Sequence, residues 1–205
     1  MTKYLRILLN VRWTFLVPKS SNILIYDAKS KNFAKVLFKN KSFLIYEMAN
    51  VKINITVLIY SIIKYGFKNI ADNYKKIYFN FVNPKIIYTA VDNNIGFFKL
   101  KKIYPKAIYI ADQNGIRNND FFLQCKNYLK SNKERLYVDY FFCFGKNDYK
   151  KLSQVIDGRI MILGSTINNE YGNNNLYSKS IKSLVFISNT AKHSIKIDDK
   201  IFKNL

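Results

Sequence analysis

The sequence predicts an α/β protein: a Rossmann-like parallel sheet with helices on both faces. Three observations predict it. Six short runs rich in β-branched and aromatic residues recur along the chain, each run ends at an Asp, Glu, Gly or small residue, and segments of helical character lie between them. Strands that are apolar along their whole length are buried on both faces, and parallel neighbours need a crossover between them. Such runs alternating with helices are therefore the sequence form of a parallel sheet.

In chain order, "NILIYD" at 22–27 is the first strand, and a helix is expected over 28–38. "SFLIYE" at 42–47 follows, then helical segments over 53–65 and 69–81. "KIIYTA" at 85–90, a helix over 95–102, "AIYIAD" at 107–112 and a helix over 121–129 continue the alternation. "YFFCFG" at 140–145, a short turn of helix at 147–155 and "RIMILG" at 159–164 complete it. Each run is short enough for a buried strand and bounded by turn residues. The expected organisation is an N-terminal extension over 1–19, a Rossmann-like domain over 20–165 and an Asn-rich linker over 166–182 that contains "INNEYGNNN". "SLVFISNTA" at 183–191 reads as the first strand and turn of a second domain over 183–205, truncated because a doubly wound domain needs on the order of 100 residues.

A chain of 205 residues with 49% apolar content can bury a core. Its net charge of +21 invites a polyanion as partner. However, 29 Lys stand against 5 Arg, whereas groove readers and phosphate clamps favour the bidentate Arg fork. Lys, Asn, Ile, Tyr and Phe have AT-rich codons, so base composition accounts for much of the charge and no dedicated nucleic-acid partner is expected. Cys125 and Cys143 lie far apart without a CxxC, and His193 is the one histidine. That pattern excludes a zinc framework, gives no disulfide signature and suits a reducing cytoplasm. No apolar stretch approaches the ~18 residues of a membrane span. The expectation is a soluble cytoplasmic protein that sits peripherally at the inner face of the plasma membrane through its basic surface.

In open parallel sheets, ligands bind outside the carboxyl ends of the strands. Three polar clusters follow strands in that sense: "DNN" at 92–94, "DQNGIR" at 112–117 and "GKND" at 145–148. Each has two readings. Asp92, Asn93 and Asn94 are an ordinary helix N-cap, or Asp92 accepts a hydrogen bond or a proton from a sugar hydroxyl. Gln113, Asn114 and Gly115 with Arg117 are a plain turn in which Gly115 supplies the conformation, or an amide nest at 114–116 beside an Arg117 anion contact. Gly145 and Lys146 start a helix, with Gly145 allowing close packing, or they join the ligand site. On all these readings Arg117→Ala leaves the thermal midpoint nearly unchanged. No GxGxxG follows "NILIYD", and GxxxxGK[ST] and GxSxG are absent, so dinucleotide, P-loop and serine-triad chemistry are not expected.

The series "NILIYD", "KIIYTAVDNNIGFFKL", "IADQNGIR", "DYFFCFGKNDYKKL" and "ILGSTINNEY" resembles the N-terminal half of the bacterial surface carbohydrate biosynthesis proteins, which look like GT-B type glycosyltransferases. The resemblance covers about 20–190 and rests on motif order. It implies the acceptor-binding half of a metal-independent, cofactor-free glycosyltransferase-like protein of surface polysaccharide biosynthesis. The donor would be a nucleotide-activated sugar or polyol, and the acceptor a glycan or a lipid-linked glycan. In that fold the donor site lies mostly in the second domain, so this half is expected to be inactive without it or without a separate C-terminal chain. The implied site has Asp92 as base and Asn93, Asn94, Gln113, Asn114, Gly115, Arg117, Gly145 and Lys146 as substrate contacts. The alternative is a non-catalytic basic α/β module that binds a partner chain or an anionic polymer.

Overall fold

The structure, a computed structural model, describes residues 11–47 and 52–166, which belong to one compact unit. The expected linker, apart from Thr166, and the expected second-domain start lie outside the described residues.

The chain enters at β1 (Arg12–Thr14), which falls inside the expected extension, and continues to β2 (Ile23–Tyr26). A single 3-10 turn, Ala28–Ser30, leads into α1 (Lys31–Leu37). After β3 (Leu44–Tyr46), the short β4 (Lys52–Asn54) runs directly into α2 (Ile55–Tyr65). The helix starts later than its apolar pattern suggests because the Asn54 side chain accepts the Val57 amide at 3.0 Å and so caps it. It stops at Gly66, whose φ of 72° an L side chain rarely adopts. Then come α3 (Ile70–Val82), β5 (Ile86–Thr89), a 3-10 turn at Phe97–Lys99, α4 (Leu100–Ile103) and β6 (Ile108–Asp112). The last elements are α5 (Asn119–Asn132), β7 (Leu136–Cys143), α6 (Lys146–Leu152) and β8 (Ile156–Ile162).

Six strands form one wholly parallel sheet in the order β3-β2-β5-β6-β7-β8, and β1 pairs with β4 in a separate two-stranded parallel sheet. The fold is α/β and Rossmann-like, as the sequence predicts. Alternate residues of one strand serve opposite faces, so Leu24 and Tyr26 join a core with Phe79, Leu100, Phe121 and Cys125 from α3, α4 and α5. Ile23 and Ile25 join a smaller core with Ala34 of α1 on the other face.

Strands β7 and β8 begin earlier than the apolar runs that announce them, and the reason is a bulge. Tyr137 pairs with Asp157 and Tyr140 with Arg159, so Val138 and Asp139 both stand opposite Gly158. The extra residue shifts the alternation by one, which is why Leu136 and Val138 before it and Phe141 and Cys143 after it all enter the same core. Gly158 is required there. Its φ is 129°, and a Cβ would lie 1.6 Å from the Val138 carbonyl oxygen. Asp139 turns back from the bulge to accept the Tyr109 amide at 2.7 Å and Lys101 Nζ at 2.9 Å.

Candidate functional site

Since all six strands run the same way, the three polar clusters after β5, β6 and β7 share one rim of the sheet. In a doubly wound sheet the crevice opens where the strand order reverses, here between β2 and β5. The protein closes that crevice with its own hydroxyls. Thr89 Oγ1 donates to the Tyr26 carbonyl at 3.0 Å, and Ser30 Oγ accepts the Ala90 amide at 2.8 Å. Asp27 ends β2 there with φ at 91°, uncommon for a residue with a side chain, and its carboxylate accepts the Lys29 amide at 2.9 Å. Ser30, Thr89 and Asp27 carry no motif in the sequence. Their signal is only that each lies at or just beyond the end of a strand.

The polar opening lies one strand over, beyond β5 and β6. Asp92, three residues past the end of β5, is fully buried, and Arg117 reaches it across the β6 loop. Arg117 Nε donates to Oδ2 and Nη2 to Oδ1, each at 2.7 Å, in the bidentate fork that a planar guanidinium allows. The Asn114 amide adds a third donor at 3.3 Å, and Asn114 Oδ1 accepts from Arg117 Nη2. Burial pushes the Asp92 carboxyl up to about 6, against the pull of Arg117 and the Asn114 amide. The Arg117 side chain retains only 11% of its exposure. Its bonds use Nε and Nη2 and leave Nη1 uncommitted among the described residues.

Next to this pair is a cavity of about 440 Å³ lined by Arg117, Asn93, Ile116, Asn118, Phe121 and Gln124, with the Asp120 carboxylate also in its wall, where it accepts from Asn118 Nδ2 at 3.0 Å. Asn118 caps α5 by accepting the Phe121 amide at 3.2 Å, so the helix start fixes one wall. Asn93 is exposed at the mouth. Asn118 and Gln124 are polar lining residues that sequence reasoning did not single out; the "NND" helix start was the available signal for the first.

Gln113 and Asn94 make hydrogen bonds within the loops of the rim. Gln113 is fully buried, donating from Nε2 to the Gly115 carbonyl at 3.0 Å and accepting the Phe144 amide at 2.9 Å, so it ties the β6 loop to the end of β7. Asn94 accepts the Gly96 amide at 2.9 Å at the turn before Phe97. Gly115 does not supply a special turn conformation, because its φ is not positive, and no amide nest forms over 114–116. Gly145 is extended at φ −163° with nothing within 4 Å of an ideal Cβ, so close packing is not its role. Lys146 is the exposed first residue of α6 and does not line the cavity.

A second carboxyl is buried one strand away. Asp112 accepts from the Tyr88 hydroxyl at 3.1 Å, and its Oδ1 has no hydrogen bond of normal geometry. Burial pushes this carboxyl up, and the Thr166 and Tyr88 hydroxyls hold it back. Among the described residues no group of three or more His, Cys, Asp or Glu is placed to hold a metal ion. No helix among them is long and apolar enough to cross a membrane.

No protein-family model, curated protein or solved structure matches this chain.

Proposed function

We propose that the cavity beyond β5 and β6 binds a hydroxyl-rich, anionic ligand, and that the chain is the acceptor-binding part of a glycosyltransferase-like protein of surface polysaccharide assembly. One observation carries this reading. Arg117 is held rigid by a buried carboxylate and lines a polar cavity with one guanidinium nitrogen uncommitted. A cation preorganised in this way loses little freedom when it meets an anion, and the Asn93 and Gln124 amides with the Asp120 carboxylate suit sugar hydroxyls. In this geometry Asp92 is a positioning residue, since both of its oxygens are occupied and none of its surface is exposed. Service as a base requires the pair with Arg117 to open. A nucleotide-activated sugar or polyol donor is held by another domain or chain on this reading. Cys125 and Cys143 are both free, which suits the cytoplasm as the place of action.

The test is amide chemical-shift mapping of the full chain titrated with galacturonate, glucose 1-phosphate and neutral glucose. The expected result is shifts at Asn93, Arg117 and Gln124 with the two anionic sugars, weakened more than threefold by Gln124→Ala at an unchanged thermal midpoint. No shift at these residues with any of the three sugars overturns the proposal. Heparin binding that spreads over the lysines and disappears with salt, without cavity shifts, favours the non-catalytic basic module instead.

A further inference from the structure

The second helix is apolar on both of its sides. On α2 Val57 and Ser61 are fully buried and Ile55, Leu58 and Ile62 half-buried, and the buried Ser61 hydroxyl has no hydrogen-bond partner among the described residues. On the other side stand Ile59 and Ile63, one helical turn apart, with Ile63 79% exposed. Beyond the Gly66 stop, Phe67 is 77% exposed. A helix in contact with water normally places serine outside and isoleucine inside. The exposed isoleucines and Phe67, on a helix that also has apolar residues on its inner side, are surplus to the core.

The patch extends past the helix. The Phe15 carbonyl accepts from the Thr56 hydroxyl, and Asn54 Nδ2 donates to the Leu16 carbonyl at 2.6 Å, which fixes the segment after β1 beside the start of α2. Phe15 and Leu16 in that segment are both strongly exposed. Exposed large apolar side chains on two adjoining segments mark an interaction site.

Charge identifies the occupant. Neither 11–26 nor 52–71 contains an Asp or Glu, and Arg12, Lys19, Lys64 and Lys68 lie in these two segments. The acidic residues flanking these segments along the chain are engaged: Asp27 is buried and accepts the Lys29 amide, and Glu47 and Asp72 are paired with Lys52 and Lys75. Glu47 lines a cavity with Phe15 and Leu16, but its charge is offset by Lys52. An apolar face carrying cations, with its flanking carboxylates paired or buried, is complementary to an anionic lipid surface, where apolar side chains enter the acyl boundary and Lys or Arg meets the headgroups.

We propose that Phe15, Leu16, Ile59, Ile63 and Phe67 form a membrane-docking surface for an anionic bilayer. This inference stands apart from what the rim cavity binds. The experiment is co-sedimentation of the full chain with vesicles of phosphatidylcholine alone or mixed with phosphatidylglycerol, comparing wild type with Ile63→Ser/Phe67→Ser. Both replaced side chains are exposed, so the thermal midpoint of the variant should match the wild type. The expected result is partition onto the mixed vesicles alone, weakened about tenfold or more in the variant. Absence of binding to either vesicle, equal binding to both, or undiminished binding by the variant overturns the proposal. A dimer in solution that Ile63→Ser disperses, without vesicle binding, overturns it in favour of a second copy of the chain.

Discussion

Replacing Arg117 with Ala removes both side-chain donors that hold Asp92, each 2.7 Å from a carboxylate oxygen. The Asp92 carboxyl is fully buried and titrates at about 6, because burial outweighs the opposing guanidinium. Without Arg117, burial lifts it further and the carboxyl stays protonated at pH 7. The unit between about 6 and pH 7 then costs about 1.4 kcal/mol. Two lost hydrogen bonds to a buried group cost about 1 kcal/mol each. The expected destabilisation is about 3 kcal/mol at pH 7, or about 6–12 °C for a chain of this size. At pH 5 the wild-type carboxyl is itself mostly protonated, so only the hydrogen-bond part remains, about 2 kcal/mol. The same group shapes the pH dependence of the wild type. Its folded value lies above the ordinary 3.8, so its contribution to stability is complete below about 3.8 and is lost as the pH rises through about 6. Asp92→Asn should flatten that slope. The assay is urea unfolding of the wild type, Arg117→Ala, Asp92→Asn and the double variant at pH 5 and pH 7. A change under about 0.5 kcal/mol for Arg117→Ala at both pH values, the behaviour of a surface turn residue, would refute the reasoning.

Gly158→Ala should be among the most damaging single substitutions, costing more than about 3 kcal/mol or preventing folding, because a Cβ at φ 129° meets the Val138 carbonyl oxygen at 1.6 Å. Soluble yield and urea midpoint check it. By contrast Gly115→Ala should stay within about 0.5 kcal/mol of wild type, since its φ is not positive and a Cβ there makes only ordinary contact with Arg117 Nη2 at 3.5 Å. A large loss in the same urea assay counts against the geometry of this loop.

The main sheet was legible because apolar runs such as "NILIY" and "IIYTA" become central parallel strands buried along nearly their whole length, and such runs need no long-range knowledge to recognise. What escaped depends on partners distant in sequence. β1 and β4 are three residues each, and Trp13 is a strand residue only because Ile53 lies beside it. The bulge in β7 is invisible without β8, so the run "YFFCF" predicts only the second half of that strand. At the candidate site, "DNN" and "QNGIR" were identified as rim clusters, and position beyond a strand end was enough for that. Their pairing was not legible. Whether Arg117 faces solvent or Asp92 depends on where β5 and β6 lie relative to each other, and Asp92 and Arg117 are ordinary turn residues until those strands are adjacent.

The strand order also bears on how the chain acquires its shape during synthesis. From β5 onward each strand lands beside the one made just before it, so β5 to β8 can assemble as a growing edge with short loops to close. β2 and β3 come first but on the other flank, and Leu24, beside Leu44, has no neighbour on its second side until Ile87 emerges. Through that interval a strand pair made of "ILIY" and "LIY" is held open along one edge, apolar on both faces and unpaired, the kind of segment that seeks strands of other nascent chains. The hydroxyls of Ser30 and Thr89, which later stitch the β2 and β5 ends together, mark the moment when that exposure ends.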